Sequence, residues 1–385
     1  MRQRSKSVRC ATSRLMNQCL SALVAVIALS GGTSMSGGAD AQTQRTMPAA
    51  DGSLSLPAAT LPFSEYASPE AREEQAGRLS RLAQLQNHPA QLPVPGQPDL
   101  LHRPWFDAQW RRYPAMMSEE TLGGVKVLVF TPKNGIADKN RHRVLINLHG
   151  GGFVNGWPEK SEIESLPIAS VGRIKVVSVD YRMGPQSRFP AASQDVAAVY
   201  AALLNTYKPS QIGIYGCSAG GILTGEAVAW FDKAGLPQPG AIGIFSGSLV
   251  SGFGGDSAYL TPLMGGYFPA PHPGAATANP YFADANPNDP LAAPANSPAL
   301  LAKFPPTLFA TGTRAGDMSA TIESHRRLIR AGIDARLHLW DGLEHCFMYN
   351  PDLPESQEAY GVLTRFLEEQ LDRLEAPTGG RASRW

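Results

Sequence analysis

The stretch "IGIYGCSAGGILTG", Ile212 to Gly225, limits what this chain can fold into more than any other. An apolar run, Ile212–Tyr215, leads into Gly216-Cys217-Ser218-Ala219-Gly220-Gly221, and a helix-like segment, Ala219–Ala234, follows. This is G-x-S-x-G between a strand and a helix. The glycines relieve crowding at a sharp turn, so Ser218 can stand in a strained conformation with its hydroxyl exposed at the top of a sheet. A Gly/Ser turn that only caps a helix would use some of the same residues. The strand before it and the helix after it point instead to a nucleophile at Ser218.

A second cluster, "INLHGGGFVNGW" (Ile146–Trp157), places three consecutive glycines and a histidine behind an apolar run. Glycine costs backbone entropy, so such a run needs unusual dihedrals or a ligand close to the main chain. Attack on an acyl carbon builds negative charge on its oxygen, and preorganised N–H donors there are often the largest catalytic contribution. Gly150 and Gly151 are expected to supply two uncovered donors, and Ala219, beside the serine, a third. A flexible loop or an anion nest would also use such glycines, but it would not require the serine turn.

A serine hydroxyl needs a base to take its proton. In this architecture the chain order is serine, acid, histidine. His272, His325, His338 and His345 follow Ser218. His272 sits in the Pro/Gly-rich "APHPG", His325 in a helix-like run and His338 in a strand-like one. His345, in "DGLEHCF", comes just after the last strand, at the end of the sheet where parallel α/β proteins place their chemistry. It is the expected base. The expected acid is Asp317, in a loop before a helix; it would otherwise only favour that helix's dipole. Glu323, one turn into that helix, and Asp341, at the end of the last strand, are poorer candidates.

Strand-like runs occur at Val125–Phe130, Val144–Leu148, Lys175–Val179, Ile212–Tyr215, Ala241–Phe245, Thr307–Ala310 and Ala335–Trp340. Helix-like segments at Ala191–Leu204, Ala219–Ala234, Ser319–Ala331 and Glu355–Leu374 alternate with them, with Gly332 as a C-terminal cap. Such alternation predicts an α/β fold, a mostly parallel sheet with helices on both faces. A further helix over Ser68–Gln86 belongs to an N-terminal cap region. The expected division is 1–41 signal peptide, 42–60 flexible lead-in, 61–115 cap region, 116–374 catalytic domain and 375–385 loose tail.

Five basic residues (Arg2, Arg4, Lys6, Arg9, Arg14), an apolar run from Cys19 to Leu29 and a closing Ala39-Asp40-Ala41 read as a secretory signal cleaved before Gln42. That run is shorter than the ~20 residues a transmembrane helix needs, and no later stretch is long enough either. Removal of residues 1–41 takes away five positive charges and one negative, so the net charge of +1 becomes −3. The absence of a basic patch argues against nucleic acid as partner. Of four cysteines only Cys217 and Cys346 remain. Export would permit a disulfide, but the expectation is two buried free thiols.

Together His149-Gly150-Gly151-Gly152-Phe153, Asp180-Tyr181-Arg182, Phe189-Pro190-Ala191-Ala192 and Gly216–Gly221 resemble the bacterial hormone-sensitive lipase-like family of α/β-hydrolase carboxylesterases, over roughly residues 115–370. The resemblance implies an α/β-hydrolase fold with an eight-stranded sheet, a helical cap from N-terminal residues and no metal or cofactor. It also implies ester hydrolysis through an acyl-enzyme, with Gly150, Gly151 and Ala219 as the oxyanion hole. Two departures stand out. The usual "YR-x-A-P-E" reads "YRMGPQ", with Gly184 and Gln186. Where the family carries its acid, "GTRAGDMS" has Ala315, and Asp317 lies two residues on.

The expected function is therefore a serine carboxylesterase acting on a small or medium ester, with Ser218, His345 and Asp317 as its catalytic residues. An amide or lactone hydrolase, or an acyltransferase, would use the same site. A non-catalytic small-molecule-binding relative would keep the fold, and the displaced acid is what suggests it. The oligomeric state is left open.

Overall fold

The apolar runs of the sequence become strands buried on both faces. In β3 (Val144–Leu148), Val144, Ile146 and Leu148 join one core cluster, while Leu145 enters another on the opposite face. A strand buried on both sides reads as a continuous apolar run, as parallel strands do. The computed structural model describes residues 60–87, 103–264 and 279–373, with Ala50 and Ser53. The expected signal peptide, nearly all of the lead-in, the tail from 375 and His272 lie outside the described residues. The chain divides into two units, Met1–Thr60 and Leu61–Trp385, and the second is described here.

The remaining strands are β1 (Ala115–Leu122), β2 (Val125–Pro132), β4 (Lys175–Val179), β5 (Ile212–Cys217), β6 (Ala241–Phe245), β7 (Thr307–Gly312) and β8 (Ala335–Trp340). They form one sheet in the order β1-β2-β4-β3-β5-β6-β7-β8. β2 runs antiparallel to both its neighbours, and all later pairings are parallel. On one face lie α4 (Ala191–Leu203), α5 (Ala219–Ala234) and α8 (Met318–Arg330); on the other, α3 (Glu159–Gly172) and α9 (Pro354–Arg373). The outer elements are α1 (Pro69–Asn87), α2 (Arg103–Arg112), α6 (Asp256–Leu263) and the short α7 (Pro298–Leu301).

Five elements escaped the sequence reading, namely β1, α2, α3, α6 and α7, and two of them show why. β1, "AMMSEETL", is an edge strand exposed along most of its length, so it carries no apolar alternation. α3 contains Pro167 and is buried on nearly every side, so it shows neither a polar face nor an uninterrupted helical pattern.

The N-terminal segment packs on the loops that follow β7 and β8. Arg314 lies over the Phe63 ring and donates to the Pro62 carbonyl. Ser64 bonds Asp341, Arg78 pairs with Glu344, and Ser68 donates through both N–H and hydroxyl to Glu355.

Cys217 and Cys346 do not remain free thiols as expected but form a disulfide. Both are buried. The end of β5 and the turn beyond β8 lie side by side, so the two Cα atoms are 6.4 Å apart, within the span of a bridge. The bond encloses 129 residues of sequence separation. Replacing both cysteines with serine is expected to lower stability by roughly 2–5 kcal/mol. In thermal unfolding, reductant should then lower the melting temperature of the wild type and leave the variant unmoved.

α5 also buries an acid. Both Glu226 carboxyl oxygens are without a hydrogen-bond partner among the described residues. Burial pushes this carboxyl well above its ordinary 4.5, and the surroundings are the phenols of Tyr181 and Tyr281 rather than a cation. Glu226 is thus held as a neutral acid. Below about 4.5 the folded and unfolded chains both carry the proton. Above it only the unfolded chain releases it, so stability falls as pH rises towards the folded value. Glu226→Gln is expected to match the wild type near pH 4 and to melt at a higher temperature at pH 8. Melting curves across that range would check it, and a pH-independent difference would count against a buried neutral acid.

Candidate active site

Ser218 sits at φ 59°, a region that residues with side chains rarely occupy. Its N–H donates to the Phe245 carbonyl at 2.9 Å, which holds the turn against the end of β6. A Cβ on Gly216 or Gly220 would collide with the Leu148 carbonyl, and one on Gly221 would come within 2.8 Å of the Phe245 carbonyl. The glycines therefore let the turn wedge between two strand ends, and the serine is lifted out of it.

His345 follows β8 in the loop packed under the N-terminal segment. Its Nε2 lies 2.8 Å from Ser218 Oγ and its Nδ1 2.7 Å from Asp317 Oδ1. The sequence-predicted serine, base and acid are brought together in that order. With Nδ1–H donated to the carboxylate, Nε2 is left to accept the serine proton. Asp317 stands at the N-cap of α8 but makes no capping bond. Its side chain is fully buried, and Oδ2 accepts from Thr311 Oγ1 at 2.7 Å and Thr321 Oγ1 at 3.2 Å. The carboxylate is thus turned towards the imidazole and fixed from behind, while Ala315 is buried two residues earlier.

The competing residues are engaged elsewhere. Glu323 pairs with Arg326 and Arg327, and Asp341 accepts from Ser64 and Thr313. His325 bonds the Ala335 carbonyl, and His338 stacks on Trp340.

The glycine loop requires a correction. The Gly150 N–H is not an open donor, because it gives its hydrogen to Glu164 Oε1 at 2.8 Å. Gly150 is glycine for another reason: a Cβ there would come within 2.5 Å of the Tyr349 hydroxyl and 3.0 Å of the Cys217 carbonyl. Among the described residues, the N–H groups of Gly151, Gly152 and Ala219 have no protein acceptor. Gly151 and Gly152 have φ 129° and 63°, and a Cβ on Gly151 would overlap Asn155. Gly152 escaped the sequence reading, since three glycines in a row do not show which two face outwards.

The family-like motifs lock this loop. Tyr181 stacks on the His149 ring with centroids 4.3 Å apart and donates to the His149 carbonyl. Burial lowers the His149 imidazole to about 4, so it is neutral at ordinary pH, and its Nδ1–H donates to the Gly150 carbonyl. Arg182 binds Asp195 on α4. Phe153 stacks on Tyr281, and Asn279 donates to the Gly152 carbonyl. Gly184 has no room for an alanine, because a Cβ would come within 2.7 Å of the Tyr281 nitrogen; Gln186 is exposed.

Above the site the Phe253 ring lies 6.0 Å from that of His345. α6 buries Ser257 and Thr261 and exposes Tyr259, Leu260 and Leu263. Among the described residues no cluster of three or more His, Cys, Asp or Glu could hold a metal, and no helix is long and apolar enough to cross a membrane.

Comparison with known proteins fits this geometry. A family model described as alpha/beta hydrolase fold matches residues 145–349. The chain is similar to an acetyl-hydrolase of Streptomyces hygroscopicus, 29% identical over 227 residues, which are 58% of this chain and 75% of that protein. It is also similar to versiconal hemiacetal acetate esterase of Emericella nidulans, 33% identical over 103 residues, but these span only 27% of this chain and 35% of the relative. Among solved structures it resembles esterase E25, with TM-score 0.68 and 26% identity over 83% of this chain and 99% of that one. It also resembles an esterase of the bacterial hormone-sensitive lipase family, with TM-score 0.66 and 27% identity over 79% and 99%. The chain belongs to the alpha/beta-hydrolase family, on the side of the bacterial hormone-sensitive lipase-like esterases.

Proposed function

We propose that this protein is a serine carboxylesterase. The observation that carries the reading is the continuous line from Asp317 through His345 to Ser218, in bonds of 2.7 and 2.8 Å. Ser218 attacks the ester carbonyl as His345 takes its proton, and His345 then protonates the departing alcohol. Water, deprotonated by His345, releases the acid from the acyl-enzyme. Asp317 keeps the imidazole in the right tautomer and stabilises the imidazolium. The charge that develops on the carbonyl oxygen meets the N–H groups of Gly151, Gly152 and Ala219. The binding-protein reading rested on a displaced acid, and with Asp317 bonded to His345 it loses that ground.

The relatives' names, acetyl-hydrolase and hemiacetal acetate esterase, favour a short acyl group. We also propose that the protein is exported with cleavage before Gln42; the buried disulfide supports an oxidising compartment. N-terminal sequencing of the exported protein would test the cleavage point.

Hydrolysis of p-nitrophenyl esters from acetate to long acyl chains tests the activity. Ser218→Ala is expected to reduce kcat by at least ~10³-fold, and Asp317→Asn by about 10²–10⁴-fold with KM changed little. Rates should be highest with the short acyl groups. A Ser218→Ala variant as active as the wild type would end the serine mechanism. A fully active Asp317→Asn variant would move the acid elsewhere.

A further inference from the structure

The turn that carries Ser218, the glycine loop and the segment after His345 all meet one side chain that has no place in the reaction described above. Glu164, buried in the second turn of α3, accepts from Gly150 N–H at 2.8 Å and from the Tyr349 hydroxyl at 2.7 Å through Oε1. Through Oε2 it accepts from Asn147 Nδ2 at 2.9 Å and Cys217 N–H at 3.3 Å. Three of the four donors border the site. Gly150 precedes the uncovered donors Gly151 and Gly152, Cys217 precedes Ser218, and Tyr349 lies four residues after His345.

We propose that Glu164 is the positioning residue of this site, one carboxylate that sets the oxyanion loop, the nucleophile turn and the histidine segment relative to one another. The inference rests on the serine-esterase reading. A carboxylate has about four acceptor positions, and here four donors fill them. Only an acceptor on both oxygens serves all four donors; an amide of the same shape opposes the Gly150 N–H even if the Tyr349 hydroxyl turns to accept from it, and opposes Asn147 and Cys217 if flipped. The Ser178 hydroxyl donates to Asn147 Oδ1, which turns the Asn147 amide nitrogen towards Glu164. The same hydroxyl accepts from Ser161, so β3 and β4 brace the arrangement from below. Glu164→Gln would set its amide nitrogen against the Gly150 N–H, or in the flipped orientation against Asn147 and Cys217, and loosen the loop it opposes while the site residues stay intact. Displacement of about 1 Å at reacting groups costs on the order of a hundredfold in rate.

The test measures the second-order rate at which a fluorophosphonate labels Ser218, together with kcat and KM on p-nitrophenyl acetate, well below the melting temperature. Wild type, Glu164→Gln and Tyr349→Phe are compared. Glu164→Gln is expected to lower the labelling rate and kcat by about 10–100-fold with KM within about twofold. Tyr349→Phe, which removes one of the four donors, should lower both about fivefold. A residue that serves stability alone would lower the melting temperature and leave both rates unchanged, and that result overturns the proposal. If Glu164→Gln does not fold, a wild-type labelling rate in Tyr349→Phe overturns it equally. A wild type that labels but hydrolyses no ester would remove the esterase reading alone, and the labelling ratios would still decide the role of Glu164. A wild type that does neither would overturn both.

Discussion

The backbone of Ser218 is held in a conformation it would not choose, and the rest of the site is arranged around keeping it there. A positive φ at a residue with a side chain costs energy and persists only where the surroundings over-determine it. Here those surroundings are the Leu148 and Phe245 carbonyls, which close on the turn so tightly that Gly216, Gly220 and Gly221 have no room for a methyl group. The sheet order places β5 between β3 and β6, so both carbonyls come from its immediate neighbours. The fold therefore supplies the strain from its own strand ends.

Much of this was legible in the sequence because the constraints are local. A strand, a tight glycine turn and a helix leave a short signature, and all seven apolar runs read as strands lie in the sheet. What failed was non-local. Which glycine N–H faces outwards depends on Glu164, a residue on a helix that was itself hidden by complete burial and by Pro167. The disulfide depends on how closely β5 and the turn after β8 approach across 129 residues. Thr311 and Thr321, which hold Asp317 from behind, carry no signal as isolated threonines. Only the spacing from Asp317 to Thr321, one helical turn, hints at a pair.

The acid shows how position along the chain and position in space separate. The family-like place after β7 is occupied by Ala315, yet a carboxylate two residues later reaches His345 Nδ1. The loop delivers it by letting Asp317 begin α8 without capping it. The requirement is a carboxyl oxygen within hydrogen-bond reach of the imidazole, and the backbone that presents it can vary.

The disulfide also changes the topology of the chain. Cys217 and Cys346 stand just outside Ser218 and His345, and Asp317 lies between them, so all three residues fall within one covalently closed ring. Of the surface segments inside that ring, α6 is among the most open. A single cut there would turn the ring into two branches still joined beside the nucleophile and the base. A molecule nicked in that way would keep its three site residues tethered until a reductant released them.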